Sequence, residues 1–240
     1  MTDHSVDVLA IGPHPDAAEL LCGGTLARCA DQGHRTGILD LTRGETGTRG
    51  NPELRASEAA AAAEILGVSV RLNADLPDAG ITNDRATREH IVGFLRALTP
   101  RVVILPFTRG RHPDHRLAAE LCRDACFLSG LARYGSGSPH RPHKLLYAMA
   151  FREDPVKPTF VVDITEQFGR KMEAIQAFTS QFEGVQQAGE AFPTGQSLYD
   201  LIDVQSRHYG SLIRRGYGEP FYTDETVEID DVAAMRVRSL

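Results

Sequence analysis

The alternation of short apolar runs with helical patterns is the feature of this sequence that most constrains its fold. Residues 6–11 form an apolar run that ends at Gly12, and residues 102–105 form a second run that ends at Pro106. Continuous apolar runs of this length, bounded by Gly or Pro, indicate buried strands. Further strands are predicted at residues 34–41, 68–72, 145–150 and 159–162. Helices are predicted at residues 20–30, 53–66, 88–98, 116–128, 167–178 and 198–209.

These repeated strand–helix units predict an α/β fold. Because crossovers between parallel strands are right-handed, the order of elements predicts a Rossmann-like, mainly parallel sheet with helices on both faces. The second half of the chain is less regular and is predicted to form a C-terminal elaboration. No internal repeat or composition shift divides the sequence, so residues 1–240 are predicted to form one domain.

Composition and charge exclude several classes of function. The formal net charge is −6, with no basic cluster that would bind nucleic acid. No apolar stretch is long enough to cross a membrane, and the polar N-terminus does not resemble a signal peptide. We therefore expect a cytoplasmic protein with reduced cysteines. Cys122 and Cys126 could bind a metal as a pair, but small buried core residues are the favoured interpretation.

Polar residues cluster after three of the predicted strands. These clusters are residues 14–19 after the first strand, 42–55 after the second and 108–115 after the fourth. Sites in parallel α/β sheets form at the carboxyl ends of the strands, where such loops meet. The sequence therefore predicts an active site at this edge.

Two of the clusters contain His-Pro-Asp, at residues 14–16 and at residues 112–114, where His115 follows. A single loop histidine is usually solvated, but imidazoles and carboxylates that converge from two strands suit Zn²⁺. Neighbouring carboxylates can also orient metal-binding histidines. A nucleotide-binding Rossmann protein is disfavoured, because residues 12–25 contain neither a Gly-x-Gly-x-x-Gly fingerprint nor a phosphate-binding loop.

These motifs resemble those of a known family. HPDAAE at residues 14–19, followed by GGT at residues 23–25, resembles the His-Pro-Asp-Asp-x-Glu…Gly-Gly-Thr signature of LmbE/PIG-L zinc-dependent N-deacetylases. HPDH at residues 112–115 resembles the second motif of that family. Segments such as residues 76–78 and 217–221 look like the branch that deacetylates N-acetylglucosaminyl malate in bacillithiol biosynthesis. The resemblance extends over nearly the whole chain and implies hydrolysis of the N-acetyl group of an amino-sugar conjugate.

The resemblance also implies roles for individual residues. His14 and His115 correspond to ligands of Zn²⁺ or another divalent metal. Asp16 corresponds to the general base that activates water. His112 corresponds to the group that stabilises the oxyanion or protonates the leaving amine, with Asp114 holding it.

Substrate contacts and assembly are implied in the same way. Arg55 matches an arginine that grips the substrate, and Arg49 and Arg109 lie in strand-end loops where guanidinium groups could pair with malate carboxylates. Asp78 matches an element of the branch without a firm role, and a turn residue is an equal alternative. The expected partner is a small N-acetylated amino-sugar substrate. Relatives imply a homo-oligomer, as large as a hexamer.

Ala17 departs from the family pattern, because a second Asp, the third metal ligand, is expected there. Two histidines alone are too few protein ligands for an ordinary catalytic zinc site. Three explanations stay open. Ala17 is an inactivating change, or Asp16 or Glu19 replaces the missing ligand, or the chain is a catalytically inactive glycoside-binding protein that keeps the deacetylase fold.

Overall fold

The computed structural model describes residues 5–149, 156–183 and 197–237. The strands are β1 Val8–Gly12, β2 Thr36–Thr42, β3 Val70–Leu76, β4 Val102–Pro106, β5 Lys144–Ala148, β6 Phe160–Asp163 and β7 Gly218–Tyr222. The helices are α1 Ala17–Asp31, α2 Pro52–Leu66, α3 Arg85–Leu98, α4 Pro113–Leu128, α5 Phe168–Gln176, α6 Thr179–Phe182 and α7 Leu198–Leu212.

The strands form one sheet in the order β3-β2-β1-β4-β5-β7-β6. The first five strands of the chain pair in parallel, whereas β7 pairs antiparallel with both β5 and β6. The predicted mainly parallel α/β sheet with a C-terminal elaboration is therefore confirmed. Strand order reverses at β1, which lies between β2 and β4, and ligands of such sheets bind in the crevice at this reversal.

Helices cover both faces of the sheet. Successive strand residues point to opposite faces, so a strand inside the sheet can pack against helices on both sides. On β1, Leu9 and Ile11 belong to a cluster with residues of α3 and α4. Val8 and Ala10 belong to a second cluster with residues of α1. Burial on both faces explains why β1 is a continuous apolar run rather than an alternating one.

Several element boundaries near the sheet edge differ from prediction. Helix α1 begins at Ala17 and α4 at Pro113, each three residues earlier than predicted. In α4 the proline is the first helical residue, where its missing N–H costs nothing. Strand β3 runs to Leu76, four residues past its predicted end. It is an edge strand whose second half is polar, so its hydrophobic pattern stops before its backbone pairing does.

Strand β7 was not predicted from its pattern. It contains Pro220, and proline inside a sequence argues against an interior strand because it cannot donate a ladder hydrogen bond. Here β7 nonetheless lies between β5 and β6, and the Pro220 carbonyl accepts from Met149 N–H at 3.2 Å. The predicted end of β5 at Ala150 lies outside the described residues. The predicted helix at 167–178 ends at Gln176, before the separate short helix α6.

The interpretation of Cys122 and Cys126 as core residues is confirmed, because both are buried in the cluster between the sheet and helices α3 and α4. Among the described residues, no helix is long and apolar enough to cross a membrane.

Candidate active site

His14 lies in the loop between β1 and α1, at the carboxyl end of the central strand. Its Nε2 is 3.1 Å from Oδ1 of Asp78 and 3.1 Å from Oδ2 of Asp114. Asp78 follows β3, and Asp114 lies in the first turn of α4. The crevice at the strand reversal therefore gathers side chains from three loops around one imidazole.

His112 caps the N-terminus of α4. Its Nδ1 accepts the backbone N–H of Asp114 at 3.2 Å. Because Nδ1 accepts, the proton of the neutral ring lies on Nε2. Burial and the neighbouring His14 hold the pKa of His112 below its usual value, which favours this neutral form. The cap thus leaves His112 with an N–H donor on the ring atom that does not face the helix.

His115 is one turn further into α4. Its ring centroid is 5.8 Å from that of His14 and 5.7 Å from that of His112. Burial, with a smaller effect of His14 and His112, lowers the pKa of His115 to about 3. The ring is therefore uncharged at neutral pH, which is the form in which an imidazole binds a metal.

Asp16 caps α1 with a backbone φ of 113°, a conformation that residues other than glycine rarely adopt. Strain of this kind costs about 1–3 kcal/mol and concentrates at functional sites. The carboxylate accepts from Nη2 of Arg55 at 3.2 Å. Burial raises the pKa of Asp16 to about 6, against the opposing effects of Arg55 and His14. Asp16 is therefore a stronger base than an ordinary aspartate.

Arg55 is buried on α2 and is already bonded to protein acceptors. Besides Asp16, its guanidinium donates to the carbonyls of Gly44 at 2.9 Å and Pro15 at 3.0 Å. Gly44 has a φ of 68°, and a Cβ there would overlap the guanidinium, so the close approach requires glycine. Arg55 thus joins the β2–α2 loop to the β1–α1 loop and fixes one oxygen of Asp16.

The other two arginines predicted to bind substrate are exposed. Arg49 lies in the β2–α2 loop, where its Nη1 donates to the carbonyl of Glu183 at 3.3 Å. Its own carbonyl accepts from the side chain of Gln181 at 2.9 Å. Arg109 lies in the β4–α4 loop with His112.

Asp114 contacts His112 through its backbone, while its carboxylate faces His14. The buried Oδ2 also accepts the N–H of Ala79 at 2.9 Å. The sequence resemblance relates Asp114 to His112 alone. The structure adds the link to His14.

Ala17 and Glu19 both lie below the surface of the site. Ala17 is the first residue of α1, is buried and faces Gly12 of β1. Glu19 is fully buried and accepts from Arg71, which also pairs with Asp40. Arg71 contacts only one oxygen of Glu19, and Arg55 contacts only one oxygen of Asp16.

Asp78 is the residue of the site that sequence reasoning left without a role. It follows β3 as the His-Pro-Asp motifs follow β1 and β4, but the predicted end of β3 at residue 72 hid this relation. A correct end at Leu76 would have identified a fourth polar group at the same edge.

The residues present fit a divalent cation. His14, His112 and Asp114 offer ligand atoms that all lie within 4.8 Å of one another. Imidazole nitrogens with one carboxylate are ligands that Zn²⁺ accepts in catalytic sites. His115, one of the two ligands that the resemblance implies, is outside this group, and its ring centroid lies 5.8 Å from that of His14.

Comparison with known proteins places this site in a family. The family PIG-L, described as GlcNAc-PI de-N-acetylase, matches residues 9–126, the part of the chain that contains the histidine cluster. The diacetylchitobiose deacetylase of Thermococcus kodakarensis is 31% identical over 226 residues, covering 88% of this chain and 80% of that protein. The chain belongs to the PIG-L family.

Other PIG-L relatives differ in the substrate that their names give. A probable N-acetyl-alpha-D-glucosaminyl L-malate deacetylase 2 of Bacillus anthracis is 28% identical over 198 residues, covering 73% of this chain and 81% of that protein. The crystal structure of a conserved protein from Thermus thermophilus superposes with a TM-score of 0.84 and 37% identity, covering 94% of this chain and 98% of that one. The malate branch is thus one of several PIG-L branches that this chain resembles.

Proposed function

We propose that this chain is a zinc-dependent N-deacetylase that hydrolyses the N-acetyl group of an N-acetylglucosaminyl conjugate. N-acetylglucosaminyl malate, in bacillithiol biosynthesis, is the proposed substrate. The observation that carries the proposal is the meeting of Asp16 and three histidines at the strand reversal of a PIG-L chain.

His14 and His115 are the proposed metal ligands, and their ring centroids lie 5.8 Å apart. When bound, a divalent cation polarises the acetyl carbonyl and lowers the pKa of water. His115 is suited to this role because it is held uncharged, and uncharged imidazole has a lone pair to donate.

Asp16 is the proposed general base. Arg55 fixes the carboxylate beside the histidines, so that it can accept a proton from the water that attacks the acetyl carbon. The strained backbone at Asp16 supports this assignment, because nothing in the capping of α1 requires it: its side chain makes no cap hydrogen bond.

His112 is the proposed donor. Its Nε2–H can stabilise the negative oxygen that forms as water adds to the carbonyl. The carbon–nitrogen bond then breaks, and a proton passed to the nitrogen releases a free amine and acetate. Asp114 holds the donor tautomer through its backbone N–H.

Arg49 and Arg109 are the proposed contacts for an anionic aglycone, since both are exposed in strand-end loops. Arg55 is proposed to act on the substrate chiefly through Asp16, because its guanidinium is buried against protein oxygens.

Acetate release tests the proposal. Protein stripped by a chelator and reloaded with Zn²⁺ is offered N-acetylglucosaminyl malate, N,N′-diacetylchitobiose and free N-acetylglucosamine. We expect zinc-dependent release of acetate, fastest from the malate conjugate. If zinc-loaded protein and its Ala17→Asp variant both release none from any of the three, the deacetylase proposal is wrong. Faster release from diacetylchitobiose would overturn only the choice of aglycone.

A second candidate function is supported by Ala17, which removes a carboxylate from the expected metal site. In this alternative the chain is a catalytically inactive protein that binds the glycoside. Calorimetric binding of N-acetylglucosaminyl malate without acetate release at any zinc concentration would favour it.

A further inference from the structure

Asp78 connects His14 to the loop after β2. One oxygen, Oδ1, is 3.1 Å from Nε2 of His14. The other, Oδ2, accepts from the backbone N–H of Thr46 at 2.9 Å and from its hydroxyl at 2.6 Å. The backbone N–H of Asp78 donates to Glu45 at 2.8 Å. Both the main chain and the side chain of Asp78 are therefore fixed, and the direction of Oδ1 follows from these contacts.

The two oxygens of Asp78 have different partners. Oδ2 accepts both hydrogen bonds from Thr46, which leaves Oδ1 as the atom that faces His14. A carboxylate has only acceptor atoms.

Nε2 of His14 faces two such acceptors at once, because Asp114 Oδ2 is also at 3.1 Å. A ring nitrogen without a proton would place its lone pair against both oxygens. The two oxygens therefore favour a proton on Nε2, which leaves Nδ1 as the ring atom that can offer a lone pair to a metal. His112 has the same tautomer, because its Nδ1 accepts from the backbone N–H of Asp114.

We propose that Asp78 is a positioning residue which, with Asp114, keeps the proton on Nε2 of His14 and so presents Nδ1 to the metal ion. The inference rests on the proposed function only in placing the metal at His14. Carboxylates behind a ligating histidine fix its tautomer and raise its basicity, and their loss typically costs about 10- to 100-fold in metal affinity. This support matters more where residue 17 supplies no carboxylate.

Nitrogen NMR of the unmodified protein is the first test. The ring nitrogens of His14, assigned by comparison with His14→Gln, are observed above pH 7.5 in zinc-free protein. We expect a protonated Nε2 and an unprotonated Nδ1, and we expect the Nδ1 signal to shift when Zn²⁺ is added. A proton on Nδ1 of His14, or a zinc shift confined to Nε2, would overturn the proposal. This measurement needs no variant that could misfold.

Zinc affinity is the second test, measured by competition with a chromogenic chelator. Asp78→Asn keeps the shape of the side chain. If the amide oxygen of the asparagine accepts from Thr46, its NH₂ group faces Nε2 of His14, and two donors then oppose each other. We expect roughly 10- to 100-fold weaker zinc binding. The matched control is Asp75→Asn, which changes an exposed aspartate three positions earlier, paired with Arg43.

The outcomes separate this inference from the proposed function. Weaker zinc binding by Asp78→Asn alone, with the expected tautomer, supports the inference even if no acetate is released. Unchanged zinc affinity in Asp78→Asn refutes it even if the protein is an active deacetylase. Equal losses in both variants would also refute it, because the effect would then reflect the charge of the loop.

Discussion

Two buried polar clusters of this protein contain similar groups but differ in whether those groups are free to take part in chemistry. One is the histidine site at the strand reversal. The other, here called the Glu219 cluster, consists of Glu219 of β7, Lys171 of α5 and Thr25 of α1 with the N–H of Gly24. Both clusters bury carboxylates against cations and hydroxyls, yet only the histidine site leaves donor and acceptor atoms arranged for chemistry.

The Glu219 cluster is fully satisfied. One Glu219 oxygen accepts from Gly24 N–H at 2.9 Å and from Lys171 at 2.6 Å. The other accepts from the N–H of Thr25 at 2.7 Å and its hydroxyl at 2.6 Å. A Cβ on Gly24 would lie 2.8 Å from Ile164, so glycine is needed for this packing. Part of the family signature, Gly-Gly-Thr, thus belongs to the structure that joins α1 to the C-terminal strands.

The histidine site instead holds conflicting groups together. Asp16 has a strained backbone and a raised pKa, and three imidazoles lie within 6 Å of one another by ring centroid. Such arrangements persist only when the surrounding fold imposes them. The comparison teaches that burial and charge do not identify an active site. The criterion is whether the hydrogen-bonding capacity is already used within the protein.

The sharpest way to break this comparison is Asp16→Asn. Asparagine keeps the shape and can still accept from Arg55, but it cannot take a proton from water. If the chain is active, we expect kcat to fall about 10²- to 10⁴-fold, the usual contribution of a positioned base. Initial rates of acetate release measure this, with zinc binding as the control. Undiminished turnover would remove Asp16 from the mechanism.

Lys171→Met tests the Glu219 cluster as a purely structural one. Removing one partner of a buried ion pair costs about 3–5 kcal/mol. We expect a loss of unfolding free energy at the lower end of this range, because Glu219 keeps three other hydrogen-bond donors. Urea unfolding measures the loss of unfolding free energy, with exposed Lys157→Met as the control. A stable variant that lost zinc affinity would contradict the division between the two clusters.

His112→Asn separates the donor of the site from its role as a helix cap. Asparagine is a good N-cap residue, so stability should be almost unchanged. The Nε2–H is lost, and one missing oxyanion donor costs about 10²- to 10³-fold in kcat. Steady-state kinetics should show this loss with little change in KM. A change in KM alone would reassign His112 to substrate binding.

Ala17→Asp gives the smallest expected change. It tests the histidine site by adding a carboxylate, whereas the other variants remove a group. We expect zinc affinity to rise at least about tenfold, since even partners outside the ligand set contribute about 10- to 100-fold. Without metal the new carboxylate is buried and should destabilise the chain, so zinc should raise its Tm more than that of the unmodified protein. Chelator competition and thermal unfolding measure both effects. Equal zinc affinity would mean that position 17 is not a vacant ligand position.

Much of the first half of the fold could be predicted from local pattern. Strands β1 and β4 are buried on both faces, so their sequences are continuous apolar runs that end where the site begins. The C-cap of α2 at Gly67, with a φ of 73°, was likewise predictable from the local sequence, because a glycine directly follows the helical pattern. The edge strand β3 and the proline-containing strand β7 were not, because neighbouring strands rather than local hydrophobicity define them.

The sequence by itself determined the residue types of the site and the edge of the sheet at which they meet, because strand ends and His-Pro-Asp motifs are local features. Only the tertiary structure decided which side chain faces which. The carboxylate of Asp114 faces His14, and its backbone N–H donates to His112. Asp78 contacts His14 from the loop after β3, a strand that pairs with β2. These relations join residues up to 100 positions apart. Their geometry depends on helix starts and loop contacts that no local pattern encodes.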